Sequence, residues 1–525
     1  MACSCPDMRT MGSCPAVHRC PLSAVGCASQ SPHIWHSWVY SAKSSLNVLS
    51  PFSVRALESS SSPLQVNFLA CQLFALAAAF WFRLYLSPRR TNPAIRHAVA
   101  TLLGVAFVVF CFGWYSVHIF ILVFSSYLIM IQATTNLHRY SMIMAMGYLT
   151  ICQASRAIIF SYGILSTDFS GPLMIITQKI TTLGFQVHDG MYRKSEELTA
   201  EQRRVAVHSK PSLIEYLSYQ LSFLTILVGP CSNYKDYMEF IEGHHVRRRL
   251  AQANCKKSVE DNGLEPSPKR AVVHKLFVSI VCLVLFLTLT KTFPIAYNTD
   301  VHFVSEAPFL YRLIYAFFSV QAARPKFYFA WTFADAINNA AGYGFSGFDE
   351  NGKASWDLIS NLNILGIETA TSFKTFIDNW NIQTGVWLKC VCYDRAPCYR
   401  TALTFILSAL WHGVYPGYYF TFITGIPITM AARIVRRNFR PYFVSSPVLK
   451  FGYDVTTWAA TQLSITYTVM PFLVLAVEPT VRFYRSMYFH IHVISIAIVI
   501  TAAAVGRAKP RPRQEHHSNN NVKAK

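Results

Sequence analysis

Long apolar runs alternate along the chain with shorter polar and basic stretches. The runs 66–86, 98–131, 139–162, 272–292, 452–476 and 486–505 each meet the length needed to cross a bilayer core, which is about 20 apolar residues for a helix. Polar residues interrupt further runs at 171–186, 212–231, 307–332, 357–376, 400–412 and 415–434. The runs are too long and too little alternating for barrel strands. Backbone polar groups in lipid must be satisfied within the chain, so the spans are expected to be helical. The pattern predicts an all-α, polytopic integral membrane bundle of roughly ten to twelve segments, some broken or re-entrant.

Composition sharpens this picture. The chain is 52% hydrophobic and 14% charged, against about 25% charged for soluble domains. The formal net charge is +21, but the cations gather in Asp189–Lys210, Glu242–Arg270 and the tail after Arg507. Basic loops of this kind mark the cytoplasmic side and attract anionic lipid, so no nucleic-acid partner is expected. Simple alternation across 212–231 would put the first two basic loops on opposite faces. If both are cytoplasmic, Pro211–Pro230 must be a re-entrant segment or hairpin.

Three regions follow. Residues 1–63 are Ser-, Cys- and Pro-rich and read as a divergent, mostly disordered extension without a secretory signal. Residues 64–505 form the membrane domain, and 506–525 a basic disordered tail. Five of the 14 cysteines fall in the first 27 residues, at spacings that fit no zinc pattern, so no metal is expected. The chain shows no internal repeat of fixed period, which weighs against repeat-built transporters.

Ionisable residues in membrane segments are expensive and point to function. His118, His274, His412, His490 and His492 all lie in apolar surroundings. His412 stands apart in FILSALWHGVYPGYYFTF, where an apolar run meets Gly413 and then Pro416, with Tyr415 beside them. A neutral imidazole there can take a proton from an alcohol. Upstream, residues 351–389 mix Trp356, Asp357, Asn361, Asn363, Glu368, Asp378, Trp380, Asn381, Thr384 and Trp387 with apolar positions. This suits a bent segment lining a polar cavity. Asp335, Asn338, Asn339 and a glycine run precede it. That run lacks the Lys-Ser/Thr of a phosphate loop.

The order SWDL, then DNWNIQTGVWLK, then ALWHGVYPGYYFTF resembles the membrane-bound O-acyltransferase superfamily. Asp357 and Asn381 stand 24 residues apart, and Asn381 and His412 stand 31 apart. The stretches 162–190, 211–237 and 289–294 are similar to its lysophospholipid branch, and the likeness runs from about 64 to 505. The resemblance implies that His412 is the catalytic histidine and Asn381 its partner. It implies acyl-CoA as the acyl donor, a lysophospholipid acceptor (lysophosphatidylserine or lysophosphatidylethanolamine, with oleoyl favoured) and phospholipid remodelling in the endoplasmic reticulum membrane. No bound cofactor is expected beyond the acyl-CoA co-substrate.

Further substrate-binding candidates are Trp356, Asp357, Trp380, Thr384, Trp387, Trp411, Tyr415, Asn338 and Asn339. Arg324, Lys326 and Lys374 are candidates for the phosphates of CoA. Two roles fit Asn381: donating to the oxyanion, or holding the imidazole. A sterol, diacylglycerol or peptide acceptor is the alternative within the superfamily. A transporter is the alternative outside it.

Overall fold

The computed structural model describes residues 63–133, 135–159, 168–246, 248, 266–348 and 353–508. The predicted N-terminal extension apart from its last residue, the tail beyond 508 and most of the loop 242–270 lie outside them. Helices dominate, as the hydropathy pattern predicts. Helices α1 (Pro63–Tyr85), α2 (Pro93–Phe112) and α3 (Ser116–Gln132) open the bundle. Asn92 caps α2 through its side chain, which accepts from the Ala94 amide, and Pro93 occupies the first helical position, where a missing N–H costs nothing.

Helices α4 (Leu137–Ile159) and α5 (Ser170–Tyr192) run antiparallel. His138 meets His188 at one end of the pair, and Arg156 bonds Ser170 at the other. α5 is the hub. Every residue from Thr177 to Val187 is buried, although Gln178, Lys179, Thr181, Thr182 and Gln186 are polar. Burial is tolerated because these groups find partners. The Lys179 ammonium donates to the Tyr219 carbonyl at 2.8 Å and to Thr225 Oγ1 at 2.6 Å. Gln186 donates to Asn233 Oδ1 at 2.8 Å.

Lys179 thereby ties down a broken region. α6 (Ala200–Val205) is followed by α7 (Leu213–Leu221), a buried loop and α8 (Tyr234–Glu242). Nine helical residues rise only about 14 Å, so the run at 212–231 is not a single spanning helix. The preceding basic loop is folded onto the bundle. Arg204 pairs with Glu201 and Asp236, and Lys210 donates to the carbonyls of Ile131 and Ala133 at the end of α3.

The second half begins with α9 (Lys269–Thr292), α10 (Val301–Glu306) and the long α11 (Phe309–Ala341) packed along α9. A two-residue antiparallel ribbon, β1 (Gly347–Phe348) with β2 (Ala354–Ser355), leads into three short helices. These are α12 (Ile364–Glu368), α13 (Phe373–Asn379) and α14 (Ile382–Leu388). Then come α15 (Arg400–His412), α16 (Pro416–Phe443), α17 (Pro447–Val474), α18 (Val477–Ser486) and α19 (His490–Ala508).

Among the described residues, 4 helices are both long and apolar enough to cross a membrane, or up to 5 with the pair 477–486 and 490–504, bent by 74°. The ten to twelve segments expected from hydropathy windows also include broken and polar-lined ones, which this count of uninterrupted apolar spans leaves out. The windows at 357–376 and 400–412 cover helices of 5, 7 and 13 residues, too short to span. α4, α5, α11 and α17 have the length, but they carry polar side chains into the interior and fall outside the apolar set. The α9 region, by contrast, is only 17% buried within the protein and presents its apolar surface outward.

Candidate active site

His412 is the last residue of α15 and is half-buried. Its imidazole sits among aromatic rings: Trp411 at 4.6 Å, Phe472 at 4.9 Å, Phe422 at 5.2 Å and Tyr418 at 5.6 Å between centroids. Gly413 ends the helix at φ 135°, a conformation that L side chains rarely adopt. The Trp411 indole donates to the Met174 carbonyl at 3.0 Å, locking α15 to α5.

The other sequence-selected histidines are placed differently. His118 bonds the Tyr148 hydroxyl at 3.0 Å. His492 bonds both Thr424 and Tyr467, at 2.9 and 2.7 Å. His490 bonds the Met487 carbonyl at 2.7 Å, and His274 is exposed. The His412 ring makes no hydrogen bond among the described residues.

Asn381 stands at the N-cap of α14 with φ 49° and ψ 52°. Asn tolerates this left-handed conformation better than most residues. Its side chain makes no capping bond. Helix α14 lies against both α5 and α15. Thr384 accepts from Gln178 at 2.9 Å, and the Trp387 indole donates to Thr181 at 2.8 Å. The Trp387 ring is 5.7 Å from Trp411. Thr384, Trp387, Trp411 and His412 thus form one connected wall built from α5, α14 and α15. The Tyr415 ring packs on the Tyr418 ring, 6.2 Å away.

The remaining candidates gather elsewhere. Trp380 packs on Phe376, Phe327 and Trp331. The Trp356 carbonyl accepts from Asn339 and from Lys275, at 3.2 and 2.7 Å, while Asn338 donates to the Leu224 carbonyl at 3.1 Å. Asp357 accepts from the hydroxyls of Ser346 and Ser355. Burial pushes its carboxyl pKa up, but those hydroxyls and the nearby Lys275 charge outweigh burial and leave it below its ordinary value.

Arg324 is buried and already partnered, to Glu368 at 3.1 Å and Gln462 at 3.1 Å. Lys326 is exposed, and Lys374 pairs with Asp378. Among the described residues, no group of three or more His, Cys, Asp or Glu side chains is arranged to hold a metal.

Sequence reasoning missed Gln153, Phe422 and Phe472. Gln153 donates to the backbone carbonyls of Trp411 and His412. Its one visible signal was an amide inside the apolar run 139–162.

Comparison with known proteins decides the family. The family model described as MBOAT, membrane-bound O-acyltransferase family, matches residues 155–470. The chain belongs to the membrane-bound O-acyltransferase family. It is a multi-pass membrane protein and an acyl-CoA-dependent O-acyltransferase of that family. It is 62% identical to membrane-bound glycerophospholipid O-acyltransferase 1 of Homo sapiens, over 81% of this chain and 86% of that protein. It is 56% identical to membrane-bound glycerophospholipid O-acyltransferase 2 of Gallus gallus, over 81% and 82%. It is 41% identical to lysophospholipid acyltransferase 6 of Drosophila melanogaster, over 81% of this chain and 59% of that protein. The matched region contains Asn381, Thr384, Trp387, Trp411 and His412 and leaves out Gln153 and Phe472.

Proposed function

We propose that this enzyme transfers a fatty acyl chain, with oleoyl favoured, from acyl-CoA to the free hydroxyl of a lysophospholipid. Lysophosphatidylserine and lysophosphatidylethanolamine are the acceptors, and the setting is phospholipid remodelling in the endoplasmic reticulum membrane. His412 is the general base and Asn381 its active-site partner. The observation that carries this reading is the state of His412: a helix-terminal imidazole among aromatic rings with no hydrogen bond among the described residues. The acceptor class is supported by similarity to proteins named glycerophospholipid and lysophospholipid acyltransferases.

The chemistry follows from the groups. A glycerol hydroxyl is a weak nucleophile near neutral pH, and an aligned base contributes about 10²–10⁴-fold. The hydroxyl oxygen attacks the thioester carbonyl while its proton passes to the imidazole. The C–S bond then breaks, and the imidazolium returns the proton to the CoA sulfur. The thioester is already activated, so no covalent enzyme intermediate is needed. Asn381 either donates to the oxyanion or orients the imidazole. An amide lost from the first role costs roughly 3–4 kcal/mol.

The test is turnover of purified protein with oleoyl-CoA and a lysophospholipid panel, following free thiol and product mass, beside His412→Ala. Transfer to one or two head groups that is lost in a folded His412→Ala protein supports the reading. Absence of transfer to every lysolipid would redirect the acceptor to a sterol, diacylglycerol or peptide. Transfer surviving His412→Ala would overturn the mechanism.

A further inference from the structure

An N-cap residue ordinarily turns its own side chain onto the second or third amide of the helix it starts. Asn381 occupies that position and does not do so. The amides are satisfied from elsewhere. Asn361 accepts twice from the first turn of α14: its backbone carbonyl from the Ile382 amide at 3.0 Å, and its Oδ1 from the Gln383 amide at 3.0 Å. It is 6% exposed, so water does not substitute freely. The Leu362–Trp380 bridge and the Asn363 amide on the Asn379 carbonyl extend the same pairing on the other side of Asn381. The left-handed residue is therefore clamped before and after by the strand 361–363.

That strand is itself anchored. Ser360 Oγ donates to Asp335 Oδ2 at 2.5 Å. The Lys275 ammonium bonds the same carboxylate oxygen at 2.6 Å and the Trp356 carbonyl at 2.7 Å. Gln383 returns a bond from its side-chain amide to the Ser360 carbonyl at 3.4 Å.

We infer that Asn361 is a positioning residue for catalysis: it caps α14 in place of Asn381 and so leaves the Asn381 amide to face the reacting groups. This rests on Asn381 belonging to the active site. The left-handed backbone of Asn381 is not the extended conformation from which an N-cap side chain reaches the helix amides, and Asn361 supplies the acceptors in its place. The role also gives the half-buried Lys275, paired with buried Asp335, a purpose beyond stability, as the far anchor of the clamp.

The experiment compares Asn361→Ala, Asn361→Asp and Asn361→Ser with wild type and with Asn381→Gly, in full-length protein. It measures kcat, KM for oleoyl-CoA and for lysophospholipid, melting temperature, and hydrogen exchange of the peptide spanning 381–388. Loss of alignment alone costs about 10²-fold. Asn361→Ala should lose about 10–100-fold in kcat with both KM values within about twofold, and amide exchange at the start of α14 should rise. Asp or Ser, which keep an acceptor oxygen, should recover kcat. Unchanged kcat in Asn361→Ala overturns the inference. So does a fall in kcat that tracks melting temperature and is not relieved by Asp or Ser, since that marks a folding residue. Full activity in Asn381→Gly instead sinks the reading of Asn381 itself, whatever Asn361 does.

Discussion

The side chain of Gln153 on α4 donates to the backbone carbonyl of His412 at 3.4 Å, and to that of Trp411 at 3.2 Å. The last carbonyls of a helix have no partner within it. Gln153 supplies one across 259 positions of sequence and so fixes the end of the helix from which the imidazole projects. Gln153→Leu keeps the volume roughly constant and removes the donor. Leaving buried carbonyls unpaired costs about 1–3 kcal/mol. The expected outcome is a lower melting temperature together with a kcat loss of roughly 10–100-fold from misplaced His412. Thermal unfolding and steady-state turnover check it, and wild-type kcat in this variant would remove Gln153 from the account.

Asn381 is asked to do two things, and two substitutions separate them. Its φ of 49° costs an ordinary L residue roughly 1–2 kcal/mol, whereas glycine adopts it freely. Asn381→Ala loses the amide and strains the turn; Asn381→Gly loses only the amide. Both should lose about 10²–10³-fold in kcat, but only the alanine variant should lose stability through the turn. If glycine turns over like wild type, the asparagine serves the backbone alone.

Gly413 carries a parallel constraint next to His412. At φ 135° a side chain is strained, and an added Cβ would meet Tyr418 at 3.4 Å and Gln153 at 3.5 Å. Both are ordinary contact distances, so Gly413→Ala should act through backbone strain at the residue that follows His412 and not through a clash. The expected result is a destabilisation of about 1–3 kcal/mol and a drop in kcat larger than the change in KM. Melting temperature and initial-rate kinetics read both.

Much of this was legible in the sequence, and the reasons for the rest are physical. Apolar runs identified the helical bundle because hydrophobic length is set by the bilayer. Polar groups in apolar runs are costly, which drew attention to residues 351–389 and to His412, whereas Asn381 as the partner of His412 is what the resemblance to the family implies. Periodicity could not show that α7 and α12–α14 are short, since their breaks are stabilised by remote groups such as Lys179 and Asn361. Nor could it show that the Arg324 guanidinium is met by Glu368 and Gln462. An unpaired arginine before an aromatic run looks available for phosphate, and only tertiary contact reveals its partners. Gln153 gave only the weak signal of an amide in an apolar run, for the same reason. Its chemistry lies in the carbonyls it meets, which carry no side-chain signature.

Trp387 gives the sharpest test of the wall between α5, α14 and α15. It is 2% exposed, its indole N–H donates to Thr181 Oγ1 at 2.8 Å, and its ring packs 5.7 Å from Trp411. Trp387→Phe retains an aromatic face for Trp411 and loses the donor. Thr181 still donates to the Thr177 carbonyl at 2.7 Å, so the cost should stay moderate, about 1–2 kcal/mol. Thr181→Val removes the acceptor from the other side. If the bond holds α14 against α5, Trp387→Phe should cost less in the Thr181→Val background than in wild type, by about 0.5–3 kcal/mol. Melting temperature alone would also report simple loss of packing, so the cycle is run on kcat as well. Equal costs in both backgrounds would mean that ring packing, and not this hydrogen bond, holds α14 beside the helix that carries His412.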